Sequence, residues 1–184
     1  MSKLLNPIYS IGHGNRSIEE FISLLMKYKI QYLIDVRTNP FSKFNPNFNR
    51  EVLPKFCKEN NISYVFMGDG LGGKPKDRTC YDNEGHVVYR KIREKDFFNK
   101  SANRLITAYQ KNLKVACMCS EINPCDCHRS KLIGEYLTNN DIEMLHINKK
   151  GDLITQLEVI KEITQGYEMD LFGNTVEMKS IGVY

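Results

Sequence analysis

Val115–Leu137 reads VACMCSEINPCDCHRSKLIGEYL, and its two halves obey different rules. The apolar run KVACMC, Lys114 to Cys119, has the length and composition of a buried strand. The polar SEINPCD then breaks the pattern, and CHRSKLIGEYLTNN carries apolar residues at helical spacing from Cys127 to Asn139 or Asn140. Strand, short loop and helix in that order form half of a βαβ unit, which demands a parallel partner strand.

The same alternation continues outward. Pro7 to Ile11 is a short apolar strand that runs into the loop GHGNRS. Ser17 and Glu20 have capping-box spacing, and Phe21, Leu24, Leu25 and Tyr28 then repeat helically. YLIDVR is a strand that ends at Arg37. The loop TNPFSKFNPNFN holds two prolines and four asparagines, which disfavour regular structure until a helix from Arg50 to Asn60. SYVFMG is a third strand. Gly68 to about Lys95 is glycine-rich and poorly periodic, and reads as a long excursion with a helical turn over Val87 to Arg93. A helix over Asp96 to Lys111 leads into KVACMC, IEMLHIN is a fifth strand, and Leu153 to Gln165 is a last amphipathic helix.

This pattern predicts an α/β fold of the Rossmann-like kind: an open, mainly parallel sheet of about five strands with helices on both faces. The 184 residues, 41% hydrophobic, suit a single domain over 1–165, with 166–184 as a C-terminal tail. No signal peptide is evident and no apolar run approaches the roughly 18 residues of a membrane span, so a cytoplasmic location without membrane contact is expected. In that setting the six cysteines are thiols or ligands rather than disulfides. The formal charge of +4 suits an anionic partner without establishing one.

Ligands of open parallel sheets bind beyond the strand carboxyl ends. His13, Asn15 and Arg16 follow the first strand, Asp35 and Arg37 close the second, and Cys119 and Glu121 follow the fourth, so all are candidates for one crevice. Three chemistries compete for the cysteine-rich loop. A zinc site is possible in principle, but the spacing C-x-C-x5-C-x-C-H matches known zinc knuckles poorly, and no cofactor is predicted. A thiol nucleophile has Cys127 at a helix start, where the dipole favours a thiolate, or Cys119, although both also suit plain packing. Anion binding draws on two helix starts with Arg16 and Arg129 beside them, and on Arg37, which together fit a phosphate-containing ligand, a nucleotide or a nucleic acid. The competing expectation is that Arg37 and Arg129 pair internally with Asp35 or Glu121.

His13, Glu121 and His128 are the candidates to move protons, and Asp35 to orient a histidine or arginine. GDGLGGKPK satisfies G-x-x-x-x-G-K, but Pro75 stands where a P-loop needs serine or threonine, so Lys74 is expected only in a flap over the crevice. Phe41, Lys43, Phe44, Phe48 and Arg50 interleave aromatic and basic groups as single-strand nucleic-acid platforms do, although buried phenylalanines also anchor loops.

IGHGNRS, DVRTNP with the following FNR, LGGKP and MCSEINPCDCHRS together resemble, in order and spacing, the domain-of-unknown-function family 488, from about Ile8 to Asn148. Gly14 departs from the family's usual GHSN. The resemblance implies a Rossmann-like fold and marks His13, Asn15, Arg16, Asp35, Arg37, Cys119, Glu121, Cys127, His128 and Arg129 as signature positions; Cys117 and Cys125 fall outside them. It implies no reaction. Separately, Glu168 to Phe172, EMDLF, resembles the bacterial sliding-clamp peptide Q-x-D-L-F, which would seat Leu171 and Phe172 in a hydrophobic pocket. The expectation from these readings is an enzyme acting on a nucleotide or nucleic acid, in DNA repair or processing. The alternatives are a non-catalytic binding module and a zinc-stabilised adaptor.

Overall fold

Five apolar runs become parallel strands. The computed structural model describes residues 5–166 and 177–184. In it β1 (Ile8–Gly12), β2 (Tyr32–Asp35), β3 (Ser63–Phe66), β5 (Val115–Cys119) and β6 (Met144–Ile147) share one sheet with β7 (Leu153–Thr155), in the order β3-β2-β5-β1-β6-β7. All neighbours are parallel except β7, which runs antiparallel on the edge beside β6.

Helices cover both faces, as alternate strand residues require. On one face α1 (Ile18–Lys27) and α2 (Leu53–Glu59) bury Phe21, Leu25, Leu53 and Cys57 against Ile11, Leu33, Ala116 and Met118. On the other, α5 (Asp96–Gln110) and α6 (Glu135–Thr138) bring Phe98, Leu105 and Leu137 to Ile8, Val115, Cys117 and Cys119. Chain leaving β5 therefore departs to the face opposite that taken by chain leaving its neighbours β1 and β2. This divergence opens a crevice at the carboxyl end of β5.

Four readings need correction. Leu153 to Gln165 is not one helix: Leu153–Thr155 pairs with β6, and α7 (Gln156–Ile163) starts only after a complete capping box between Thr155 and Glu158. The segment after Cys127 is not a uniform α-helix, because Arg129–Gly134 winds as a π-helical turn before α6. A β-carbon on Gly134 would lie 2.2 Å from the Gln156 amide oxygen, so any larger residue would have to push that side chain from its bonds to His146 and Ser130. The excursion after β3 holds the expected helical turn, α4 (Tyr89–Arg93), but is folded beyond it, with α3 (Gly68–Leu71) and β4 (His86–Val88). Finally, the fold extends past residue 165, for β8 (Lys179–Val183) pairs antiparallel with β4 and buries Met178 in the core. Leu171 and Phe172 lie outside the described residues. No helix among those described is long and apolar enough to cross a membrane.

Candidate functional site

Gly12 ends β1 under the loop that leaves β5. A β-carbon there would meet the Glu121 carbonyl oxygen at 1.9 Å, so glycine is what lets the two loops lie one on the other. Backbone bonds from His13 N–H to Cys119 O and from Gly14 N–H to Ser120 O, 3.0 and 2.9 Å, extend the β1–β5 ladder into both loops. Glu121 is thereby fixed above the strand end. The return is made by a 3-10 turn, Pro124–Asp126, capped by the Asn123 side chain, and it brings Cys127 and His128 back over Cys119.

The result is a cluster of four reactive groups. Cys119 Sγ lies 2.8 Å and Cys127 Sγ 3.3 Å from Glu121 Oε2, and each sulfur is 3.8 Å from His128 Nδ1. His128 Nε2 faces the Val36 carbonyl at 3.1 Å, so that nitrogen carries the proton and Nδ1 points at the sulfurs. Arg129, fully buried, donates from Nε to Cys127 Sγ at 3.2 Å, from one terminal nitrogen to Ser10 Oγ at 3.1 Å and from the other to the Glu121 carbonyl at 2.6 Å. Burial raises the Cys127 thiol, but the hydrogen bond with Cys119 and the charges of Arg129 and His128 override it and hold Cys127 well below the ordinary range. Cys119 goes the other way, pushed up by burial and by the negative charge of Cys127.

A cavity of about 340 Å³ opens on this cluster, with Arg37, Asn39, Lys74, Tyr89 and Tyr184 among its walls. Lys74 sits with its ammonium 3.8 Å from the Tyr184 ring centroid. Gly73 backs onto His128, where a β-carbon would fall 2.8 Å from the ring. Of the glycine pair in LGGKP, Gly73 thus serves close approach to an imidazole, while Gly72 packs against the Gly68 carbonyl and Thr38.

The expected convergence of three guanidiniums on one anion pocket is corrected by their hydrogen bonds. Arg37 closes a two-point pair with the buried Asp35, 2.9 and 2.6 Å, and also donates to the Phe48 carbonyl at 2.7 Å. It contributes to the cavity wall as one half of a neutral pair. Arg16 turns away: it donates to the carbonyls of Gly12, Asn148 and Lys149 and to Glu20, tying the β1 loop to the β6 loop. Arg129 lies beneath the cysteines. Asn15 is exposed and outside the cavity wall.

His13 also lies outside that wall, stacked on Phe48 at 4.4 Å with Nε2 toward Arg37 at 3.4 Å. Phe48 therefore anchors its loop, while Phe41 and Phe44 are exposed. Tyr89, Ser180 and Tyr184 are cavity residues that sequence reasoning missed. Their placement depends on the pairing of β4 with β8, which no local pattern announces.

Two buried imidazoles make stability depend on pH. His146 bonds to Ser10 Oγ at 2.6 Å and to Gln156 Oε1 at 2.7 Å, and burial pushes both it and His13 down to about 4. The unfolded chain takes up these protons near the ordinary value of about 6.5, and the native chain does not. The stabilising contribution is therefore complete above that value and declines as pH falls toward 4. At pH 5 the loss should reach about 2 kcal/mol per histidine. NMR titration of the His13 and His146 ring signals checks this, and ordinary values near 6.5 for both would refute it.

Among known proteins, the chain matches the family model described as Domain of unknown function DUF488 over residues 17–137. No curated protein and no solved structure matches it.

Proposed function

The chain belongs to this family of unknown function, DUF488, and from that premise we propose that it is an enzyme whose reaction centre is the Cys119–Glu121–Cys127–His128 cluster. One observation carries the reading. Two thiols, a carboxylate and an imidazole converge at the strand carboxyl ends, and Cys119, Glu121 and His128 of that set line a cavity. Packing alone gains nothing from such a group, since each buried polar atom needs a partner and Arg129 is a buried charge in its own right. Groups of this kind in a cleft are the usual mark of a catalytic site.

The substrate we propose is a nucleotide or the end of a nucleic-acid strand. Lys74 supports it as a cavity cation with no carboxylate partner among the described residues, and the exposed ring of Tyr184 supports it as a surface for a base. The volume suits a mononucleotide-sized ligand. Titration of the full chain with a panel of nucleoside mono-, di- and triphosphates and short single-stranded oligonucleotides tests the reading. At least one should bind, Lys74→Ala should weaken it about tenfold through loss of a charge-assisted contact, and the Cys119→Ser/Cys127→Ser pair should still bind it. Failure of the whole panel, or equal binding by Lys74→Ala, would overturn the substrate assignment.

A further inference from the structure

The four groups of the cluster are arranged as a coordination shell, and we propose that they bind one divalent transition ion of the zinc class through Cys119 Sγ, Cys127 Sγ, His128 Nδ1 and Glu121 Oε2. The assignment rests on, and deepens, the reading of this cluster as the reaction centre.

Geometry is the first support. The four donor atoms all lie within 4.8 Å of one another. Around a tetrahedral ion with metal–sulfur bonds of about 2.3 Å and metal–nitrogen or metal–oxygen bonds of about 2.1 Å, sulfur sits about 3.6 Å from either lighter atom. Both sulfur–nitrogen separations are 3.8 Å, and the sulfur–oxygen separations of 2.8 and 3.3 Å lie inside that edge. A small outward movement of Glu121, the exposed member of the set, completes the polyhedron.

Second comes the support behind the ligands. The Val36 carbonyl takes the far N–H of His128, so the near nitrogen, facing the sulfurs, is the one that gives up its proton when an ion binds, the arrangement by which ligating histidines are held. The backbone N–H and Nε of Arg129 both donate to Cys127 Sγ, at 3.4 and 3.2 Å, as N–H groups do to metal-bound thiolates. Charge is the third support. Two thiolates and one carboxylate around a divalent ion leave one negative charge, and the fully buried guanidinium of Arg129 balances it. The paired sulfurs with an imidazole select zinc-class ions over magnesium or calcium, which prefer all-oxygen shells.

The spacing C-x-C-x5-C-x-C-H conceals this set because it invites pairing of Cys117 with Cys119 and of Cys125 with Cys127. In the fold only one member of each pair reaches the cluster, and Glu121 supplies the remaining donor. Because Glu121 lies on the cavity side, an ion held here would act as a Lewis acid toward whatever enters, with the carboxylate as the ligand that yields.

The test uses the full chain, reduced, exposed to zinc chloride and dialysed, followed by elemental analysis, with a parallel cobalt(II) titration. About one equivalent of zinc should remain. Cobalt should give an intense thiolate charge-transfer band with tetrahedral visible absorption. Cys119→Ser and Cys127→Ser should each weaken binding at least tenfold, and Cys125→Ser should leave the stoichiometry unchanged. Glu121→Ala should keep the ion while altering the cobalt visible spectrum. Wild-type protein that gives no charge-transfer band and retains no zinc overturns the proposal without recourse to any variant. Nucleotide binding is measured separately on the same samples. Loss of the metal result with ligand binding intact removes only the ion, and the reverse removes only the substrate reading.

Discussion

Replacing Arg129 with methionine should cost about 3–5 kcal/mol of stability, the loss expected when one partner of a buried charged network is removed. Methionine fills most of the space, so the change isolates the guanidinium. Three acceptors lose a guanidinium N–H together: Ser10 Oγ, the Glu121 carbonyl and Cys127 Sγ, the last keeping only the backbone N–H of residue 129. Ser10 is in turn bonded to His146, which bonds to Gln156, whose amide donates to the Ser130 carbonyl at 3.1 Å. The defect therefore spreads across β1, β6, the π-helical turn and α7. For a chain of this size the corresponding fall in melting temperature is roughly 10 °C. Urea denaturation measures it, and the double variant Arg129→Met/Cys127→Ala should recover part of the loss if the two side chains are coupled. A cost of about 1 kcal/mol or less would mean that the guanidinium is a spectator.

That network also shows where the sequence stopped being legible. Alternation of strands and helices could be read because period and end signals are local. Ser17 does accept from the Glu20 N–H at 3.1 Å, as its spacing implies, although the Glu20 carboxylate goes to Arg16 instead of returning to the cap. Thr155 and Glu158 carry the same signal, and there the box is complete; reading it would have separated β7 from α7. The position of Cys119 and Glu121 after a strand carboxyl end was equally local, and so was the return of Cys127 and His128 in the same loop. What could not be read was the direction of the arginines. A guanidinium after a strand looks like a hand held out to a ligand, yet five of its partners here are backbone carbonyls, those of Gly12, Phe48, Glu121, Asn148 and Lys149. Carbonyls belong to every residue, so no motif marks which of them face inward. The long-range pairing of β4 with β8, which brings Tyr184 beside Lys74, is hidden for the same reason.

Asp35→Asn is the second substitution expected to have a large effect, and the geometry of its partners gives the reason. The carboxylate is wholly buried at the end of β2 and accepts from the Arg37 backbone N–H at 3.1 Å, from its side chain at 2.9 and 2.6 Å, and from the Tyr64 hydroxyl at 2.7 Å. Every contact is a donor facing it. Asparagine keeps one acceptor oxygen but turns an NH2 toward donors on the other side, and it leaves Arg37 as a buried charge without a counter-ion. The cost should be about 3–5 kcal/mol. Tyr64→Phe, which removes one hydrogen bond and no charge, should cost only about 1 kcal/mol. The contrast between the two, measured by urea denaturation under one set of conditions, separates charge compensation from simple hydrogen bonding. Equal effects would show that Arg37 does not depend on Asp35 for its neutralisation. In that case the guanidinium would count as a free cation at the cavity wall, and Lys74 would no longer stand alone as the cation offered to an anionic substrate.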